Sequence, residues 1–187
     1  MKHQTKYISV DIETDGPIPW PYSMISLGAC VLTLEDGILD TFEVNIKPLE
    51  GGQQDPKTMD WWAGKTEAWD YAQKDQKTPE QAMSAFRHFI SSSAGRKPVL
   101  IQFPDGFDFM FLYWYLITFG GQSPFSFSAF GMKTAASLIL DKPYRQCSKR
   151  NFPKRWFGDT PHTHKALDDA IGQGEMFLGM MKDRKNV

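Results

Sequence analysis

Apolar residues along this chain fall first into short β-like runs and later into runs at helical spacing. Tyr7 to Ile12 reads as a first strand, and Ser23 to Leu34 as a second after the proline-rich connection Gly16 to Pro21. Glu35-Asp36-Gly37 is a turn signal, and Ile38 to Ile46 alternates as a third strand should. Thr58 to Ala72 predicts short helical pieces bearing Trp61, Trp62 and Trp69. Thr78-Pro79-Glu80 starts a helix with proline at its first position, followed by Ala82, Ala85, Phe86, Phe89 and Ile90 on one face and ended by Ser91 to Gly95. Pro98 to Phe103 predicts a fourth, buried strand, and Gly106 to Phe119 an aromatic helix stopped by Gly120-Gly121. A strand and a helix are expected between Phe125 and Leu140, a loop over Asp141 to Pro161, and a last helix over His164 to Met181. The inward face of that last helix reads as Leu167, Ile171, Gly174, Leu178 and Met181. Strands first, then helices interleaved with strands, predict a mixed α/β sheet covered by helices, in one domain spanning residues 1–187.

Composition narrows the partners. A net charge of -1 and a pI near 6.4 exclude a generally basic nucleic-acid coat but leave room for a local basic patch. One such run, Lys142, Arg145, Lys149, Arg150, Lys154 and Arg155, is either a solvated loop or a device for steering phosphates. Cys30 and Cys147 suggest neither a disulfide framework nor a cysteine zinc cluster, and a reducing cytoplasmic setting is expected. The polar start Met1 to Lys6 lacks the apolar core of a signal peptide. No apolar window is long enough for a membrane span, since the run Phe107 to Phe119 carries Asp108.

The candidate chemistry begins with Asp11 and Glu13. Side chains two apart on a strand point to the same face. These two carboxylates therefore project together from the end of the first strand, where they are either solvated or joined by a divalent cation. Asp108 stands near the start of the aromatic helix, stabilised either by the helix dipole or, between Phe107 and Phe109, by a specific partner; Asp105 fits a capping role better. The segment His162 to Asp169 holds two histidines and two aspartates, enough for a general base and a metal ligand. His164 and Asp168 share a face if both are helical; if His164 lies before the helix, Asp169 is equally open.

Taken in order, Asp11-x-Glu13, Phe107-Asp108 with Phe111-Leu112, and His164 five residues before Asp169 resemble the three motifs of the DEDD 3′-to-5′ exonucleases, in the histidine-bearing branch. That branch includes proofreading subunits, ribonuclease T and oligoribonuclease. Asp15-Gly16-Pro17 and Trp61-Trp62 bring the chain nearest to small bacterial exonuclease domains. The resemblance implies a ribonuclease-H-like fold with a central mixed five-stranded sheet and flanking helices, and it favours Asp169 over Asp168. It further implies two divalent cations, Mg²⁺ or Mn²⁺: Asp11 would touch both, Glu13 and Asp169 the ion on the nucleophile side, and Asp108 the other. His164 would act as general base. The expected reaction is hydrolysis from the 3′ end of single-stranded RNA or DNA, releasing nucleoside 5′-monophosphates. Thr14 and Phe107 are candidates for seating the terminal nucleotide, as are Trp20, Trp61 and Trp62, which could equally serve the core or a homodimer. The alternative is a catalytically silent nucleic-acid-binding module of the same fold. A ribonuclease-H-type hydrolase would lack the histidine of the third motif, and Gly120-Gly121 is too short for a phosphate loop.

Overall fold

The computed structural model describes residues 4–95 and 97–184. Met1 to His3, at the head of the polar segment weighed against a signal peptide, lie outside the described residues. Among the described residues, no helix is long and apolar enough to cross a membrane.

Five strands form one mixed sheet in the order β3-β2-β1-β4-β5. β1 (Tyr7–Thr14), β2 (Met24–Thr33) and β3 (Gly37–Asn45) run antiparallel, while β4 (Val99–Gln102) and the two-residue β5 (Phe130–Gly131) extend the sheet parallel to β1 and to each other. Parallel neighbours require crossover connections, which the helices supply. The helices are α1 (Pro56–Ala63), α2 (Thr66–Ala72), α3 (Pro79–Phe89), α4 (Phe107–Gly120), α5 (Met132–Ile139) and α6 (Ala166–Arg184). The start of α3 carries a full capping box between Thr78 and Gln81.

Period-two alternation divides the core between the two sheet faces. Ile8, Val10 and Ile12 of β1 pack with Phe86, Phe111 and Leu116 of α3 and α4. The opposite face of the sheet sends Cys30 and Leu32 against Met176, Phe177 and Met180 of α6. Close approach of α6 to β2 depends on two glycines. A Cβ on Gly28 would stand 2.2 Å from the backbone of Ala166, and one on Gly174 would stand 2.9 Å from Cys30 Sγ.

Several expectations change. The buried residues of α6 are Ala166, Asp169, Ala170, Gln173, Gly174, Met176, Phe177, Met180 and Met181, whereas Leu167, Ile171 and Leu178 are only half-buried. Two polar residues occupy that inward face, which rotates it away from the hydrophobic stripe. Gln173 is there because its Nε2 donates to Ser9 Oγ at 3.0 Å and to Val10 O at 2.9 Å, tying α6 to β1. Asp105 caps α5 instead of α4, accepting from Lys133 N and Thr134 N at 3.0 Å each. The segment from Asp141 to Pro161 is not a plain loop: it makes three single helical turns and buries Phe152 and Trp156 in the second core. Trp62 is buried as well, and its Nε1 donates to Thr14 O at 2.9 Å.

Candidate active site

β1 continues two residues past the predicted end and carries Asp11 and Glu13 on the face toward α6. The pairing of β1 with β2 shifts register between Glu13 and Thr14, so the strand kinks where the acids emerge. From α6, Asp169 meets them. Asp11, Glu13 and Asp169 each bring a carboxylate oxygen within 4.8 Å of the others. Asp108, buried in the first turn of α4, adds its charge from the parallel side of the sheet, and its Oδ2 has no hydrogen-bond partner.

The electrostatics describe a centre with too much negative charge. Burial pushes the Asp11 carboxyl well above the usual range, and the charges of Asp108, Glu13 and Asp169 push it further, against the opposing pull of Lys149. Glu13 is raised to about 9 by burial and then by Asp169 and Asp108, with Lys65 opposing. Burial lifts Asp108 to about 7, held back by hydrogen bonds from the Ile12 and Asp108 backbones and by Lys149. Several carboxylates buried around one point ionise together only if a cation joins them. The donors are all oxygen, so a hard divalent metal fits the set, and the orphan Asp108 oxygen has a role once a cation is bound.

His164 lies before α6 in a left-handed backbone conformation (φ 57°). Its ring stands edge-on to Trp61 with centroids 5.0 Å apart. Burial and then the neighbouring His162 lower its pKa, partly offset by Asp169, which favours a neutral imidazole. The helix therefore does not put His164 and Asp168 on one face. Asp168 instead accepts from Thr163 Oγ1 at 2.7 Å and stays out of the acid cluster. Asp169 is held on both oxygens, by Thr163 N at 3.1 Å and by His162 Nδ1 at 2.8 Å.

His162 was legible only as a second histidine near the motif, and its bond to Asp169 depends on a loop conformation that spacing does not reveal. Of the basic run, Lys149 acts on Asp11, Asp108 and His164, while Arg155 is committed to Asp183 at 2.7 Å. Thr14 ends β1 with its hydroxyl donating to Gly16 O at 2.9 Å. Phe107 opens α4, partly buried against Phe111. Of the three tryptophans considered for stacking, Trp20 and Trp61 are exposed. A groove of about 400 Å³, lined by Lys65, Thr66, His164 and Lys165, runs beside the site.

The family model of the Rv2179c-like 3′-5′ exoribonuclease domain matches residues 6–181. The chain belongs to that family. As a member it is a 3′-to-5′ exonuclease, a metal-dependent hydrolase. It is 31% identical over 175 residues to the 3′-5′ DNA exonuclease Cap18 of Escherichia coli, spanning 91% of this chain and 89% of that protein. Among solved structures, the nuclease domain of 3′hExo, a DEDDh family member bound to rAMP, superposes with a TM-score of 0.73 at 13% identity, covering 97% of this chain and 94% of that one. The Mg²⁺- and Mn²⁺-bound form of S. pombe Pop2p superposes with a TM-score of 0.63 at 14% identity, covering 92% and 81%. At such identities the likeness is one of fold, and the fold is the ribonuclease-H-like one expected.

Proposed function

We propose that Asp11, Glu13, Asp108 and Asp169 hold two divalent cations, Mg²⁺ or Mn²⁺, in a single exonuclease domain that trims the 3′ end of single-stranded nucleic acid to nucleoside 5′-monophosphates. The observation that carries this reading is the convergence of Asp11, Glu13 and Asp169 within 4.8 Å, joined by the charge of buried Asp108 and its unpartnered oxygen. When bound, the cations neutralise charge on the phosphodiester and acidify an attacking water. His164, its pKa lowered first by burial, is suited to accept the proton from that water, and the T-shaped contact with Trp61 braces its ring. Glu13 and Asp169 would hold the cation on the nucleophile side, where Asp169 also meets His164; Asp108 would hold the other, and Asp11 would touch both. Thr14, at the kinked end of β1, and Phe107, at the head of α4, seat the terminal nucleotide. Lys149 offers positive charge to the substrate phosphates.

The family description names RNA and the Escherichia coli relative is named for DNA, so both belong in the test. Purified protein is incubated with 5′-labelled single-stranded RNA and DNA in Mg²⁺, Mn²⁺ or chelator. Metal-dependent shortening from the 3′ end, with release of 5′-monophosphates, is the expected result. Asp11→Asn should abolish it without loss of folding. His164→Ala should lower kcat by roughly 10²–10⁴ with metal affinity retained. Full activity of Asp11→Asn would overturn the proposed metal centre.

A further inference from the structure

The loop before α6 assembles a second donor set with a different chemical character. His162, His164 and Asp169 each bring one ligand atom within 4.8 Å of the others. His162 Nδ1 already lies 2.8 Å from Asp169 Oδ2, and the two imidazole centroids are 4.3 Å apart. His164 holds a left-handed backbone (φ 57°) in the same short loop. The surrounding bonds hold this geometry. Thr163 N anchors the other Asp169 oxygen, Thr163 Oγ1 bonds Asp168 and accepts from Lys165 N at 3.2 Å, and Trp61 backs the His164 ring.

Two imidazoles and one carboxylate are not the donors of a magnesium site. Mg²⁺ favours oxygen in octahedral geometry and keeps several waters, whereas Zn²⁺ accepts nitrogen and oxygen in a tetrahedron. The His162 side chain is 57% exposed, so solvent can supply a fourth ligand. We propose that His162, His164 and Asp169 form a further cation site, selective for Zn²⁺-class ions, whose occupation arrests the exonuclease. On binding, the ion displaces the contact between His162 Nδ1 and Asp169 Oδ2: a neutral His162 takes the tautomer with its proton on Nε2, which frees the Nδ1 lone pair for the ion with no net loss of a proton. The ion would occupy the lone pair of His164 and draw one oxygen of Asp169 away from the acid cluster. Arrest rests on the general-base reading of His164 given above; binding does not.

The test uses the full chain in saturating Mg²⁺ with Zn²⁺ titrated in, each rate expressed relative to that variant's own Mg²⁺-supported rate. The wild type is expected to lose half its activity at a Zn²⁺ concentration at least tenfold lower than His162→Asn requires. Equal sensitivity of the two proteins would overturn the proposal. Co²⁺ supplies a readout independent of turnover, through the intense visible absorption of its four-coordinate complexes. That absorption should develop in the wild type and in Asp11→Asn and be lost in His162→Asn. Loss in Asp11→Asn with retention in His162→Asn would place the ion among the strand carboxylates and sink the site. The general-base reading fails separately, if His164→Ala leaves Mg²⁺-supported hydrolysis intact.

Discussion

Replacing Glu13 with Gln should stabilise the protein in chelator while removing its activity, because the charge proposed to serve a cation strains the fold without one. The Glu13 carboxyl is raised from 4.5 to about 9, first by burial and then by Asp169 and Asp108. As pH rises, the unfolded chain therefore releases this proton first. The stability associated with protonated Glu13 is complete below about pH 4.5 and is lost progressively up to about pH 9. At pH 7 the difference is about 3 kcal/mol, at 1.36 kcal/mol for each pH unit above the unfolded value. Gln fills the same volume without that penalty, so a gain of about 2–3 kcal/mol is expected in chelator at pH 7. For a chain of this size that raises the melting temperature by roughly 5–10 °C. The assay is thermal unfolding followed by circular dichroism at pH 5, 7 and 9, with chelator or with Mg²⁺. The advantage of the variant should shrink toward pH 5, where Glu13 is protonated in both folded and, increasingly, unfolded chains. With Mg²⁺ at about a hundred times its dissociation constant, the wild type should gain about 2.7 kcal/mol, and the variant clearly less. A Glu13→Gln protein that melts at or below the wild type in chelator at pH 7 would refute the picture of an overcharged centre.

Two further substitutions probe how the site is held. Gly28→Ala would drive a methyl group into the Ala166 backbone at the start of α6. It should cost about 3 kcal/mol and lower the melting temperature by roughly 6–12 °C, and an unchanged melt would show that α6 does not depend on this contact. Trp62→Phe removes the indole donor to Thr14 O at the end of β1. A loss of about 1–3 kcal/mol is expected in denaturant unfolding, and a midpoint equal to the wild type would argue against Trp62 as an anchor.

Much of this architecture was readable from the chain. β1, β2 and β3 carry enough β-branched and apolar residues between turn signals for their limits to be read within a residue or two, and Asp11 and Glu13 shared a face for the reason their spacing implied. Polar residues with structural work were the ones that misled. Asp169 and Gln173 belong to the buried face of α6; hydropathy finds its Gly174 and Met181 but adds Leu167, Ile171 and Leu178, which are only half-buried. Asp105 sits three residues before Asp108 yet caps a helix nearly thirty residues away, which local capping rules do not register. Trp62 and its neighbour Trp61 look alike in sequence, and only tertiary packing buries one and exposes the other beside His164. The choice between Asp168 and Asp169 depended on where α6 begins. Its start at Ala166 leaves His164 in the loop, turns Asp169 inward and gives Asp168 to Thr163.

The central claim is that four carboxylates share two cations around Asp11. Its most direct measurement is anomalous diffraction from crystals grown with Mn²⁺ and a nucleoside 5′-monophosphate. The account predicts two manganese peaks, both in contact with Asp11, one also reached by Glu13 and Asp169 and the other by Asp108. Manganese absent from these carboxylates, or a single ion that Asp11 does not touch, would contradict it.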